Sequence, residues 1–180
     1  MPSSSVRIVI GLLLIGGWSA CQDQLTTSIE DQGEGIQASV SGSPGDVAAI
    51  HGIVETFDHA WTTGDPLTYA AQYHGSDWVG PDGTNLTDPA ALTALYTIII
   101  DIVLPGTTRQ STVRRLTFLS GTLAVIDIDT QVTGFEVAPP GVIEWAPGII
   151  RVREKNILQK RGGAWHIIQH QQTVVAPGVQ

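Results

Sequence analysis

The hydrophobic pattern of the chain changes its period once, close to Pro105-Gly106. Before this point apolar residues recur at steps of three and four, which is typical of helices, and after it they alternate with polar residues, which is typical of strands. A chain of 180 residues, 42% of them hydrophobic, can bury one core of ordinary size. Helices followed by strands around one core predict an α+β fold, with the helices on one face of an antiparallel sheet.

Three helices are predicted in the first part of the chain. The first begins with Asp46 as its N-cap and ends at Gly64. Its apolar stripe consists of Val47, Ile50, Val54, Phe57 and Trp61. Asp65-Pro66 and Asp88-Pro89 each place a capping carboxylate before a proline, which is tolerated at the first helical position. They predict a short second helix and a third over residues 89–104.

The second part of the chain predicts two hairpins. Residues 109–119 and 122–133 flank Ser120-Gly121, and residues 149–161 and 164–175 flank Gly162-Gly163. The segment 135–148 holds adjacent prolines and predicts a loop or a ragged edge. With a short extended piece near DWVGPDG, we expect a cone-shaped curved sheet of about four long strands plus short edge pieces, with the three N-terminal helices on its concave face.

The N-terminal segment is typical of an export signal. Arg7 precedes the short apolar run 8–17, and small residues precede Cys21. Residues 1–21 therefore predict a lipoprotein-type signal peptide with lipid on Cys21, which would place the domain in the bacterial cell envelope, periplasmic or at the outer surface. Trp18 departs from that pattern, and ordinary signal cleavage or a retained anchor are the alternatives. Polar residues 22–45 predict a flexible linker, residues 46–176 a single domain and residues 177–180 a tail.

Charge and cysteine content exclude several classes of partner. A formal charge of −8 and a pI near 4.8 argue against binding to nucleic acid or to an anionic membrane surface. Contact with a membrane is expected only through the N-terminal lipid. The single cysteine allows neither a disulfide framework nor a thiolate metal site. With no phosphate-cradling glycine loop either, no cofactor is predicted.

Two phrases of the sequence resemble a known superfamily. ETFDHAWTTGD closes the first predicted helix, and KRGGAWHIIQHQQT closes the domain. Together with the order of the elements, they are similar to the nuclear transport factor 2-like superfamily, specifically its SnoaL-like polyketide-cyclase and SgcJ/EcaC-like members. The resemblance covers roughly residues 46–175. The matched positions are Ala60, Trp61, Gly64, Asp65 and Trp165.

The resemblance implies a ligand-holding cone and a homodimer formed through the outer face of the sheet. It also implies that Trp61, Tyr69, Tyr73, Asp77 and Trp78 lie near the open end of the cone, where aromatic rings can stack on a flat guest. The usual His-Asn-Thr ending of the last strand corresponds here to Gln171, Gln172 and Thr173. A proton-transfer role carried by that histidine is therefore in doubt. Members include enzymes and non-catalytic binding domains, so the fold does not determine the activity.

The last hairpin contains the candidate ligand pocket. With Gly162-Gly163 as a two-residue turn, Leu158 lies opposite Ile167, Asn156 opposite Gln169 and Glu154 opposite Gln171. These residues share a side with Trp165. If this side of the hairpin faces a cavity, it could bind a mostly apolar ligand through a few polar groups. If it faces solvent, it is ordinary protein surface. His166 and His170 fall on the opposite side, which predicts surface or dimer contacts.

The first hairpin contains the candidate catalytic pair. With Ser120-Gly121 as the turn, Arg114 lies opposite Asp127, close to Asp129. A buried pair of this kind could act in acid-base chemistry, whereas an exposed pair would be an ion pair of small energetic weight. His51, Glu55 and His59 follow at steps of four, but they lie largely away from the apolar stripe. A solvated helix face is therefore favoured over a metal site there, and no metal is predicted.

These patterns favour an exported domain that binds a small apolar or aromatic molecule in the cone. The alternative is an enzyme of the isomerase, cyclase or hydrolase type. In that case Asp127 or Asp77 would be the general base, and Arg114 or a tyrosine hydroxyl would polarise a carbonyl. A structural partner of another envelope protein is the third possibility.

Overall fold

The computed structural model describes residues 42–73, 75–139 and 142–178. The predicted signal segment 1–21, its Cys21 and nearly all of the linker lie outside these residues. Three helices occupy the first part, α1 (Pro44–Thr62), α2 (Pro66–Ala71) and α3 (Pro89–Ile98), and a π-helical turn (Ile99–Val103) continues α3. Among the described residues, no helix has the length and apolarity needed to cross a bilayer.

The start of α1 differs from the prediction. Ser43, not Asp46, is the N-cap, because the Ser43 Oγ accepts the Asp46 amide at 3.1 Å. The Asp46 carboxylate instead accepts hydrogen bonds from Lys160 at 2.6 Å and Trp165 Nε1 at 2.8 Å. The hydrogen bond from Lys160, followed by that from Trp165, lowers the pKa of Asp46 to about 2. Asp46 thus connects the first turn of α1 to the last hairpin of the chain.

The caps of the other two helices are as predicted. The Asp65 side chain accepts the Thr68 amide at 2.9 Å, and the Asp88 side chain accepts the Ala90 amide at 3.0 Å. Each helix then begins with proline, whose missing N–H would have no partner in the first turn in any case.

The sheet has six strands in the order β2-β1-β6-β5-β4-β3. Two are short edge strands, β1 (Asp77–Val79) and β2 (Asn85–Leu86). Four are long, namely β3 (Thr108–Ser120), β4 (Leu123–Thr133), β5 (Ile149–Arg161) and β6 (Ala164–Val174). Neighbouring strands are antiparallel, except that β1 and β6 are parallel. The four long strands, the two hairpins and the short edge pieces are confirmed.

The helices pack on one face of the curved sheet, here called the inner face, and the α+β prediction is confirmed. Ala124, Ile126 and Ile128 of β4 are at most 1% exposed on this face, and Ile50 and Phe57 of α1 are fully buried in the same core. The opposite side of the sheet is called the outer face. Alternation along β4 puts Asp127 and Asp129 there.

Bulges correct the predicted register in both hairpins. In the last hairpin Leu158 lies opposite Ile167 as predicted, but Ile157 already lies opposite Gln169, so β6 has one extra residue at Ile168. Beyond it, a one-residue slip exchanges the faces of every following side chain. In the first hairpin, irregularities beside Arg114 and Leu119 bring Arg115, and not Arg114, opposite Asp127.

Candidate functional site

A group of polar side chains is buried between the helices and the inner face. We call it the inner polar cluster. Its members come from the turn after α2 and from four strands: Tyr73, Ser76, Arg109, Thr130, Glu154, Asn156 and His170. None of them is more than 5% exposed.

Arg109 and Glu154 form the charged half of the cluster. Arg109 donates to Glu154 Oε1 at 2.7 Å and pairs with Asp58 of α1 through its other terminal nitrogen. Its guanidinium also lies over the rings of Phe57 and Tyr69, 5.4 and 5.6 Å from their centroids. Burial raises the pKa of Glu154, but the charge of Arg109 and further contacts outweigh it and lower that pKa. The Arg109–Glu154 pair is therefore ionised.

His170 and Asn156 form the neutral half. The two residues lie opposite each other on β6 and β5, with His170 Nδ1 2.7 Å from Asn156 Oδ1. With the amide oxygen as acceptor, Nδ1 carries the proton and Nε2 is left with a free lone pair. Burial lowers the pKa of His170 to about 4, although Glu154 and Gln172 act in the opposite direction. The imidazole is thus neutral at neutral pH.

Several atoms of this cluster have no hydrogen-bond partner within the described part of the chain. They are Tyr73 Oη, Ser76 Oγ, Glu154 Oε2, Asn156 Nδ2 and His170 Nε2. Three of these residues are in contact, since the ring centroids of Tyr73 and His170 are 4.7 Å apart and His170 Nδ1 lies 2.7 Å from Asn156 Oδ1. Buried polar groups in native proteins normally have partners. The cluster therefore presents free donors and acceptors to a guest molecule or to water.

Aromatic rings surround the cluster on the helical side. Tyr69 lies 4.4 Å from Tyr96 between ring centroids, Tyr73 stacks on Tyr96 at 5.8 Å, and Trp78 stacks on His170 at 5.8 Å. Trp61 packs edge-on against Tyr69 and donates its indole N–H to Thr107 at 2.9 Å. All four predicted aromatic pocket residues, Trp61, Tyr69, Tyr73 and Trp78, are buried. Tyr73 and Trp78 are the two that contact the His170 ring.

The predicted polar pocket residues divide between the two faces. Glu154 and Asn156 lie on the inner face as predicted, at 4% and 1% exposure. The prediction for Gln169 and Gln171 is wrong, because both are exposed on the outer face. The prediction that His170 is a surface residue is also wrong, since it is completely buried. The bulge at Ile168 explains all three errors.

The predicted catalytic residues lie away from the cluster. Asp127 is on the outer face, 2.9 Å from Lys155. Arg114 is the bulge residue of β3, half exposed and 3.6 Å from Asp129, so the predicted Arg114–Asp127 pair is wrong. Asp77 is exposed at the start of β1. No group of three potential metal ligands occurs among the described residues, and Glu55 and His59 of α1 are exposed.

Sequence reasoning missed Arg109, Asp58 and Thr130. One signal was available, since an inward-facing glutamate on a central strand needs a buried cation. That signal does not single out Arg109, because regular alternation from Leu116 and Phe118 would put it on the outer face, and the bulge at Arg114 turns it inward. No comparable signal existed for His170, because periodicity alone places it on the outer side.

No protein-family model matches the sequence, and no curated protein does either. Several solved structures are similar to this chain in fold. A domain with a cystatin-like fold from Nostoc punctiforme is 20% identical, with a TM-score of 0.60 over 73% of this chain and 78% of that one. An NTF-2-like protein from Shewanella oneidensis is 14% identical, with a TM-score of 0.58 over 71% of this chain and 98% of that one. The chain has the nuclear transport factor 2-like fold.

A third solved structure is also similar in fold. A ketosteroid isomerase-like protein from Erwinia carotovora is 15% identical, with a TM-score of 0.57 over 75% of this chain and all of that one. At these identities the likeness extends to the nuclear transport factor 2-like fold and leaves the activity open. The fold agrees with the superfamily resemblance of the sequence.

Proposed function

We propose that the domain binds a small apolar or aromatic molecule with a polar group, held between the helices and the inner face of the sheet. The unpartnered buried atoms of the inner polar cluster support this proposal most directly. Leaving a buried donor or acceptor unsatisfied costs about 1–3 kcal/mol. Several such atoms in one place are explained if a guest, or water in its absence, completes their hydrogen bonds.

The free atoms define which guest fits. Glu154 Oε2 and His170 Nε2 are acceptors, whereas Asn156 Nδ2 is a donor and the Tyr73 hydroxyl can do both. The walls around them are the rings of Tyr73, Tyr96 and Trp78. A flat molecule with one hydroxyl or carbonyl group satisfies both the polar atoms and the aromatic walls.

Native mass spectrometry of the full chain tests the binding proposal, alongside a thermal-shift panel of small aromatic compounds. We expect the wild type to retain a small molecule or to be stabilised by a compound. The control variant His166→Gln should behave in the same way, because His166 is exposed. Asn156→Leu removes the free amide, and His170→Leu removes the free imidazole nitrogen, so both should lose the bound compound. If the wild type retains no compound and is stabilised by none, the proposal is wrong.

An enzyme is the second candidate, with His170 in place of the predicted aspartates. The 2.7 Å contact with Asn156 fixes the imidazole so that the unprotonated Nε2 faces the cluster. A neutral imidazole so oriented can accept a proton, and the Tyr73 hydroxyl nearby can donate a hydrogen bond to an oxygen that gains charge. The likeness in fold to a ketosteroid isomerase-like protein supports this candidate.

A substitution pair tests the catalytic role. If the wild type turns over a carbonyl compound, His170→Gln should reduce kcat at least a hundredfold, while His166→Gln keeps it. Equal kcat values for His170→Gln and His166→Gln would show that His170 is not the general base. Asp127→Asn should leave turnover unchanged, since Asp127 lies on the outer face.

We further propose that the protein is exported and carries lipid at Cys21. We also propose that it is related to the SgcJ/EcaC-like family and forms a homodimer. The order of Arg7, the apolar run and Cys21 supports export, and the closing phrases of the first helix and the domain support the kinship. Metabolic labelling with a fatty acid should mark the wild type and not Cys21→Ser. Labelling of both the wild type and Cys21→Ser would contradict lipid attachment at Cys21. A monomeric mass in light scattering would contradict the homodimer.

A further inference from the structure

The outer face of the sheet carries most of the basic side chains of an otherwise acidic chain. Of nine lysines and arginines in a protein of formal charge −8, five lie here: Arg114, Arg115, Arg151, Arg153 and Lys155. On the long strands, the outward-facing carboxylates are Asp127 and Asp129. The outer face therefore has an excess of positive charge while the protein as a whole is negative.

These side chains form two rows across four strands. One row is Arg115, Asp127, Lys155 and Gln171, and the next is Thr112, Asp129, Arg153 and Thr173. In the first row Asp127 of β4 lies between Arg115 and Lys155, and in the second row Asp129 of β4 lies between Thr112 and Arg153. Asp127 accepts from Lys155 at 2.9 Å, and Asp129 contacts Arg151 at 2.8 Å and Arg153 at 3.1 Å. The acids hold the cations in place without neutralising all of them.

A depression of about 530 Å³ lies over these rows. The cations that line it are Arg114, Arg115, Arg153 and Lys155. The bulge in β3 contributes directly, since it leaves both neighbouring arginines, Arg114 and Arg115, exposed on this face. A regular strand would have turned one of them inward.

Arg115 and Lys155 are the cations most available to a ligand. Among the described residues, no carboxylate lies within salt-bridge distance of the Arg115 guanidinium, which contacts only the Thr117 hydroxyl at 3.0 Å through Nε. The Lys155 side chain is 61% exposed despite its contact with Asp127. Two strand spacings separate these residues, which is about 10 Å between backbones.

We propose that this depression binds an anion carrying more than one phosphate charge, with Arg115 and Lys155 on either side of it. Arginine donates in a planar fork that matches phosphate oxygens, and lysine adds a point charge. Gln171 and Thr173 supply neutral donors on β6. A soluble phosphate ester and a lipid headgroup share this chemistry. Glu154 belongs to both the lining of this depression and the inner polar cluster, where its side chain is 3% exposed. The homodimer implied by the sequence resemblance would use the same outer face, so the proposal requires that the two protomers leave Arg115 and Lys155 accessible.

Isothermal titration calorimetry of the full chain with pyrophosphate tests the site, with sodium chloride of equal ionic strength as the blank. We expect saturable binding that weakens about tenfold in Arg115→Gln and in Lys155→Gln, the change for one charge-assisted hydrogen bond. The control is Arg161→Gln, an exposed cation at the end of β5 that does not line the depression. It should bind as the wild type does.

Co-sedimentation with vesicles that contain cardiolipin, whose headgroup carries two phosphates, distinguishes the two sources. Arg115-dependent binding of pyrophosphate points to a soluble ligand, whereas Arg115-dependent binding to vesicles alone points to a headgroup, and either result supports the phosphate site. Absence of both overturns it. Equal weakening by Arg161→Gln and Arg115→Gln also overturns it, because the attraction would then be diffuse.

Discussion

The two faces of the sheet use the same chemical groups in opposite ways. On the inner face, Arg109 and Glu154 pair at side-chain exposures of 1% and 3%. On the outer face, Lys155 and Asp127 pair at exposures of 61% and 29%. The inner charges have lost their water and depend on each other, whereas the outer charges keep theirs. Two pairs that involve adjacent residues of β5, Glu154 and Lys155, therefore differ greatly in the stability lost when the pair is removed.

This difference in solvent exposure also explains why the two faces are proposed to bind different ligands. The inner polar cluster has free atoms but is enclosed by aromatic rings, which suits a mostly apolar guest. The outer face has excess positive charge in an open depression, which suits a hydrated anion. Solvent access determines which ligand chemistry each face can bind.

Removing a cation from each face gives the largest contrast. Arg109→Met leaves Glu154 and Asp58 without their shared partner, so the free energy of unfolding should fall by about 3–5 kcal/mol. Arg153→Met removes a partly exposed arginine of the outer face and should cost less than about 1 kcal/mol. Urea unfolding of both variants measures this. Similar costs would mean that the two faces do not differ as described.

Acidification should weaken the inner face through His170. Its pKa is about 4 in the fold and 6.5 ordinarily, so the unfolded chain binds more protons between these values. The free energy of unfolding should therefore decrease as the pH falls from about 6.5 to about 4, by on the order of 3 kcal/mol in total. Above about pH 6.5 this contribution is constant.

Urea unfolding across that pH range, compared between variants, isolates the effect of His170. His170→Gln should lose most of this pH dependence, while His166→Gln on the outer face keeps it. Because the two variants share every carboxylate, acid groups cannot produce the difference. Equal pH profiles would show that His170 is not held neutral.

Two tyrosines sharpen the description of the inner face. Tyr96→Phe leaves the buried Trp78 indole N–H without its 3.1 Å acceptor and should cost about 1–2 kcal/mol. Tyr73→Phe removes a buried hydroxyl that has no protein partner, so its cost without ligand should be close to zero. Thermal unfolding compares the two. An equal cost for Tyr73→Phe would mean that its hydroxyl is satisfied and would weaken the binding proposal.

The outer face should show the smallest effect. A double-mutant cycle of Asp127→Asn and Lys155→Gln should give a coupling energy below about 1 kcal/mol that falls further in added salt. A larger, salt-independent value from urea unfolding would mean that another molecule covers this face in solution.

The sequence alone determined the elements of the domain. Asp-Pro pairs started α2 and α3, the change of period at Pro105-Gly106 separated helices from strands, and the glycine turn located the last hairpin. These features depend on neighbours along the chain, so local chemistry is sufficient to predict them. Glu154 and Asn156 were placed correctly because they lie on β5, whose alternation stays regular since the extra residue of the bulge is in β6.

The tertiary structure decided which side chains meet. The bulge at Ile168 turns His170 inward and Gln169 and Gln171 outward, and the bulge at Arg114 brings two arginines to the outer face. An extra residue in a strand is accommodated by packing against its partner strand and the core, which periodicity along one strand does not encode. The contact of Arg109 with Asp58 and Glu154 joins residues 51 and 45 positions apart. Only the folded chain brings these charges together, and because they are buried there each depends on the other for a partner.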